Sequence, residues 1–284
     1  MGENSKVRII VDSSADLLPK IEEKVCIVPL MINFGGEEFV DRVQISHKEF
    51  YEKLEEAKEL PTTSQPSPEL FAKAYEEATK NGGSAVVITL SGKLSGTYQS
   101  AMIAAEDFEG KAFVVNSSAV TIMSGVLVEY ALSLAESGMD AESIAKELDD
   151  IKDKLSLVAV LDTLEYLKKG GRISKTVALA GGLLAIKPLI EIKDGVVEMA
   201  GKVRGAKQVA EALTNAIEER GGVDTSKPFV FGYTGNDDSL LKKYLEDSRD
   251  YWKDAGELRS AAIGSVVGTH AGPGAIAVAF FKKA

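Results

Sequence analysis

Apolar residues along this chain form short continuous runs and helical recurrences, and the two patterns alternate. Val7-Arg8-Ile9-Ile10-Val11 reads as a buried strand ending at Asp12. A second extended run, Cys26 to Phe34, breaks at Gly35-Gly36, a hairpin signal. Ser46-His47-Lys48-Glu49 has capping-box spacing, and Phe50 and Leu54 follow at helical intervals. Ser67-Pro68 predicts an N-cap with proline at the first helical position, and Leu70, Phe71, Ala74 and Ala78 give that helix an apolar face. Ala85 to Leu90 is a continuous apolar strand, after which Ser95 opens a helix with Tyr98, Ala101, Met102 and Ala105 inward. Ala112-Phe113-Val114-Val115 is another strand. A mostly apolar helix follows from about Val120 to Leu134, and Ile144, Leu148, Ile151 and Leu155 mark the next. Strands alternating with helices indicate parallel βαβ units in an open sheet.

The pattern changes after the run Leu157 to Leu161. A short helix ends in Lys168-Lys169-Gly170-Gly171, basic residues before a glycine stop. Ile190-Glu191-Ile192 and Val196 to Met199, joined through Asp194-Gly195, predict an antiparallel hairpin. A helix at Val209 to Ile217 precedes three further strands, Phe229 to Phe231, Leu258 to Ile263 and Ala275 to Phe281. The expected fold is α/β with two α/β domains. The first, over 1–157, is an open, mostly parallel sheet with flanking helices. The second, over 158–284, is mixed α/β, and the ligand is expected between them.

Composition narrows the partners. The chain has 284 residues, with 45% hydrophobic and 27% charged, as in ordinary globular proteins. Aromatics, at 7%, are too sparse for base-stacking platforms. The net charge of −10 disfavours nucleic acid and anionic membrane surfaces. The single cysteine, Cys26, allows no internal disulfide, which fits a reducing compartment, and its apolar neighbours suggest a packed core thiol. The first apolar stretch is too short for a signal peptide or a membrane span, so a cytoplasmic protein without stable membrane insertion is expected.

The candidate chemistry lies in hydroxyl- and glycine-rich turns where strands hand over to helices: Val11-Asp12-Ser13-Ser14, Thr62 to Pro68, Leu94-Ser95-Gly96-Thr97 and Gly268 to Gly274. They present neutral donors at helix N-termini, which suits an anionic oxygen group. In the Thr62–Pro68 loop, turn rigidity and helix capping outweigh a ligand contact from Thr63 or Ser64 on sequence alone. Gly96 removes a side chain from the first turn, leaving room for a ligand oxygen. For Ser95, capping and anion binding weigh equally. A serine nucleophile ranks below both, because Lys93 occupies the place of the first glycine in a nucleophile elbow. His270 lies in a stretch too glycine-rich to predict a regular helix, whereas His47 reads as a surface residue of a charged helix. No second histidine or cysteine near His270 supports a metal site. Basic clusters at Lys168 to Arg172 and Lys202 to Lys207 read as solvated ends or as a phosphate- or partner-facing edge.

Taken in order, Val11 to Leu17, Thr63-Ser64-Gln65-Pro66-Ser67, Leu94-Ser95-Gly96-Thr97-Tyr98, Gly170-Gly171-Arg172-Ile173 and Gly268 to Gly274 resemble the DegV family of bacterial fatty-acid-binding proteins, over nearly the whole chain. The resemblance implies one long-chain, palmitate-like fatty acid between two α/β domains, and no other cofactor and no metal. It also implies a lipid-binding carrier rather than an enzyme, one that presents the acid to a separate ATP-dependent fatty acid kinase. By the same resemblance Thr63 and Ser95, with Gly96, hold the carboxylate, His270 lies near it, and Arg172 and Arg204 face the kinase. Energetics are compatible: about fifteen methylenes at ~0.8 kcal/mol each give roughly 12 kcal/mol before the costs of association. The small, apolar stretch Val177 to Ala185 is expected to wall the tunnel. The competing readings are a hydrolase or acyltransferase using Ser95 with His270 as base, and an interaction module with a vestigial pocket.

Overall fold

The computed structural model describes residues 7–173, 186–205 and 208–283, and elements are labelled in chain order among them. The chain opens with β1 (Val7–Asp12), α1 (Pro19–Glu22), β2 (Cys26–Val28), β3 (Met31–Phe34), β4 (Glu37–Val40), α2 (His47–Glu56), β5 (Thr62–Ser64) and α3 (Pro68–Thr79). It continues through β6 (Ser84–Thr89), α4 (Thr97–Ala105), β7 (Ala112–Asn116), α5 (Thr121–Glu136) and α6 (Ala141–Ile151). Strands β2-β1-β6-β7 form a parallel sheet, with Ile9 opposite Val86 and Val87 opposite Val114. Their unbroken apolar runs follow from burial on both faces. A small antiparallel sheet, β4-β3-β5, sits beside it.

The second sheet begins at β8 (Leu155–Val160), followed by α7 (Glu165–Lys169), β9 (Ile186–Lys193), β10 (Val196–Arg204), α8 (Val209–Glu219) and β11 (Phe229–Tyr233). Then come α9 (Ser239–Asp247), α10 (Arg249–Trp252), β12 (Ser260–Ala262), α11 (Ser265–Ala271) and β13 (Ile276–Phe281). Its order is β10-β9-β8-β13-β11-β12, antiparallel except for β11 with β12. The β9–β10 hairpin turns at Asp194 and Gly195, whose φ values of 49° and 76° are those of the Asp-Gly turn the sequence predicts.

Helix α5 explains how the sheets share a core. Ile122, Met123, Val126, Leu127 and Val128 are buried all round it, and it touches both sheets. One apolar cluster therefore joins Val11, Ile88 and Val115 to Ala159, Ile190 and Ala277. The other face of the second sheet packs Phe231 against Trp252, with ring centroids 5.0 Å apart.

Several local expectations give way. The apolar run Cys26 to Phe34 splits into β2 and β3, which belong to different sheets. Cys26 is exposed rather than packed, because it opens a short strand at the sheet edge. The Thr62–Ser64 loop is β5, paired with β3. Helix α4 buries Thr97, Ser100, Ala101 and Ala104 and leaves Met102 exposed, since its close approach favours small side chains. His47 is half-buried, edge-on to Tyr51, with Nε2 lacking a partner and its pKa lowered by burial. Gly268 to Ala271 are helical, in α11. The reason is packing: a Cβ on Gly268 would lie 2.5 Å from Tyr51 Oη, so glycine lets α11 seat against α2. Val177 to Ala185 lie outside the described residues.

Candidate functional site

Thr63 and His270 come together from opposite ends of the chain. Pairing of Ile32 with Thr63 fixes β5, and α11 brings His270 to it in its last turn. Thr63 Oγ1 lies 3.0 Å from His270 Nε2. Burial, and secondarily the Arg172 guanidinium, lower the His270 pKa to about 4, so the imidazole is neutral near pH 7. Its Nδ1 is buried without a partner.

Arg172 follows the glycine stop of α7. Its Nε donates to Leu94 O at 3.2 Å and its Nη1 to Gly170 O at 2.6 Å, tying α7 to the loop before α4. In that loop Ser95 Oγ lies 2.9 Å from Thr97 Oγ1 and accepts from Thr97 N, the first residue of α4, at 3.3 Å. Gly96 is the N-cap of α4. It does not line the cavity, and a Cβ there would fall 2.0 Å from Gln65 Oε1. Its bare face admits the Gln65 carboxamide, which donates to Ser100 Oγ at 2.9 Å.

Thr63, Ser95, Arg172 and His270 line one cavity, with about 810 Å³ of empty space that includes its open mouth. Beyond these four the walls are overwhelmingly apolar, including Leu94, Val120, Leu157, Ile190 and Ile192. Ala159 of β8, Ala277 of β13 and Ala275 just before β13 face it, and their short side chains leave space between the sheets. A second, polar cavity holds Lys58, Tyr166 and Lys169 and shares Thr63, Arg172 and His270 with the first. These three side chains thus stand at the boundary between an apolar chamber and a polar vestibule, whose lining also holds Glu59 and whose Lys169 pairs with Glu165 at 2.8 Å. Lys58, Tyr166 and Thr121 also line these spaces, and no spacing in the sequence singles them out. Arg204 ends β10 opposite Ile186, is exposed, and lines neither cavity. Lys207 of the same basic cluster lies outside the described residues.

The arrangement offers neutral donors to an oxygen group and apolar walls to a long tail. It does not form a Ser–His relay: Ser95 Oγ is paired with Thr97 and His270 Nε2 with Thr63. Among the described residues no group of three or more His, Cys, Asp or Glu could hold a metal ion. None of their helices is long and apolar enough to cross a membrane.

Comparison with known proteins agrees with the sequence pattern. A family model described as an uncharacterised protein, DegV family, matches residues 6–283. A DegV domain-containing protein of Deinococcus radiodurans is 36% identical over 96% of this chain and 97% of its own length. The fold matches a fatty-acid-binding DegV family protein from Thermus thermophilus at a TM-score of 0.86 and 32% identity, covering 97% of this chain and 99% of that one. It also matches a stearic acid-binding protein from Eubacterium ventriosum at a TM-score of 0.83 and 28% identity, over 98% of each chain.

Proposed function

The chain belongs to the DegV family, and from that premise we propose that it binds one long-chain fatty acid and presents the carboxylate to an ATP-dependent fatty acid kinase. The observation that carries this reading is the shared boundary: Thr63, Arg172 and His270 belong both to the apolar chamber and to the polar vestibule. A tail filling the chamber sets its head group at that boundary, beside the Thr63 and Ser95 hydroxyls. Similarity to proteins that bind fatty acids, one of them stearic acid, supports the ligand class.

Hydroxyl donors satisfy a carboxylate without neutralising it, which keeps one oxygen nucleophilic toward a phosphoryl donor. Lys58, Lys169 and Arg172 line the vestibule through which that donor approaches, and their charge attracts phosphate oxygens. The kinase supplies the chemistry in this scheme, and this chain holds, orients and shields the acid in the cytoplasm. Arg204, which is exposed and away from both cavities, serves as a contact for the kinase.

Native mass spectrometry of purified protein, with lipid extraction, tests the reading. A single fatty acid at about one per chain, lost in a Thr63→Ala/Ser95→Ala double variant, is the expected result. Protein that stays empty after incubation with a panel of fatty acids overturns it. Acyl-phosphate formation on addition of a fatty acid kinase and ATP tests the second half, and no product with lipid-loaded protein removes the kinase role.

A further inference from the structure

Asp16 lies on neither cavity, yet one carboxylate ties together both walls of the chamber. Its Oδ1 accepts from Gly264 N at 2.8 Å, the residue that caps α11. Its Oδ2 accepts from Thr121 Oγ1 at 2.6 Å, at the first residue of α5. The first bond sets the helix that carries Val266, Val267 and His270. The second sets Val120 and Thr121, which line the tail chamber.

The surrounding chain is built to this carboxylate. A Cβ on Gly264 would sit 3.0 Å from Oδ1, and a Cβ on Gly125 of α5 would sit 2.4 Å from the Asp16 carbonyl oxygen. Thr121 is β-branched and yet has φ 54°, a left-handed conformation that is strained and persists where the surroundings enforce it. Its hydroxyl reaches Oδ2 from that conformation. Arg42 holds the Asp16 loop itself, donating to Ala15 O at 2.7 Å and Ser13 O at 3.2 Å and lying 3.5 Å from Oδ1.

We propose that Asp16 is a positioning residue for fatty-acid binding, acting through α11 on the head-group site and through Thr121 on the tail chamber. The inference rests on the fatty-acid reading above. An ionised carboxylate accepts both bonds. A protonated one keeps both only by donating from Oδ2 to a turned Thr121 hydroxyl, so a charge-assisted tie becomes a weaker neutral one. The charged or titratable groups acting on Asp16 are Arg42 and Asp41 from the segment after β4 and Tyr51 from α2. Burial outweighs the stabilising bonds and Arg42, and the Asp16 pKa is raised to about 6. The fatty-acid affinity is therefore expected to fall as pH drops through that value.

The test uses lipid-free full-length protein and hexadecanoic acid, with affinity measured from about pH 5 to about pH 8 for wild type and Asp16→Asn. Asparagine keeps the shape and mimics the neutral acid. Wild type is expected to bind about tenfold more tightly at the upper end, the ratio for a charge-assisted hydrogen bond replaced by a neutral one. That ratio is expected to shrink toward unity at the lower end, and taking it cancels the titration of the fatty acid. A residue with a merely structural role lowers affinity equally at every pH, so a flat ratio, or equal affinities throughout, overturns the proposal.

If Asp16→Asn does not fold, Thr121→Val gives the second reading. Loss of the hydroxyl removes a bond that favours the ionised carboxylate, so the midpoint of the wild-type pH profile is expected to move upward. An unmoved midpoint overturns the proposal. Wild type that takes no fatty acid at any pH overturns the fatty-acid reading, and this inference with it. Wild type that binds with a flat ratio overturns this inference alone.

Discussion

Thr63 Oγ1 and His270 Nε2 lie 3.0 Å apart across 207 positions of sequence, and that contact orders the protons at the proposed head-group site. Threonine has one proton to donate. If it goes to a carboxylate oxygen, Nε2 carries the imidazole proton and donates to Oγ1, and the buried Nδ1 is left bare. The histidine thus orients a hydroxyl rather than supplying a charge.

Thr63→Val keeps the shape and removes the donor. Fatty-acid affinity is expected to fall by about 1–3 kcal/mol, the usual loss for a charged acceptor deprived of a partner. Thr63→Ser keeps the hydroxyl and is expected to retain most of the affinity. Titration calorimetry with hexadecanoic acid reads both, and equal affinities for wild type and Thr63→Val remove the residue from the site.

The lowered His270 pKa has a stability consequence with a definite sign. Above pH 6.5, the ordinary histidine value, the ring is neutral folded and unfolded, and the group contributes no pH dependence. Between 6.5 and about 4 the unfolded chain takes up a proton that the native ring refuses, so stability falls as pH falls. The difference in unfolding free energy between wild type and His270→Gln is expected to decline across that window. Denaturant titrations at several pH values check it. Arg172→Gln is expected to raise the His270 pKa, because the guanidinium contributes to lowering it, and the imidazole NMR titration reads that shift directly.

Much of this architecture was legible in the chain, and the losses have particular causes. Continuous apolar runs such as Val86 to Ile88 and the Asp194-Gly195 turn specify their elements locally, and the capping box at Ser46 and Glu49 is formed in both directions. Gly268 misleads because its local helix propensity is poor, while the benefit of its missing side chain comes from Tyr51, far away in sequence. Gly96 likewise has a bare face whose neighbour, the Gln65 carboxamide, no local spacing announces. Thr63, Ser95, Arg172 and His270 could be picked out from motif order, and the structure brings all four to one cavity. Lys58 and Tyr166 reach the vestibule only through tertiary packing, for which no sequence spacing exists.

Gly268→Ala tests the packing that carries His270. The added methyl would meet Tyr51 Oη at 2.5 Å and Phe50 Cε1 at 2.8 Å, both from buried side chains. Alanine is the better helix former, by about 1 kcal/mol. Overpacking of a filled interface costs about 1–3 kcal/mol and so outweighs that gain. The variant is expected to melt at lower temperature and to bind fatty acid more weakly. Unchanged or raised stability shows that α2 and α11 can separate without cost.

The β9–β10 hairpin offers the last test, because its tip is pinned to the other sheet. Ser91 Oγ donates to Gly195 O at 2.7 Å, a buried bond between the loop after β6 and the hairpin turn. Ile190, Ile192 and Val197 of that hairpin wall the tail chamber, so motion at the tip opens the wall. Ser91→Ala leaves the carbonyl unsatisfied or admits water, at a net cost of about 1 kcal/mol. That is small against global stability but large against local opening, whose free energy spans the low end of the range. Amide exchange in residues 190–199 is expected to accelerate, and fatty-acid dissociation with it, while the melting temperature moves little. Faster exchange without faster dissociation means the lipid leaves by another wall. Exchange that does not change means the hairpin is held by its apolar face alone.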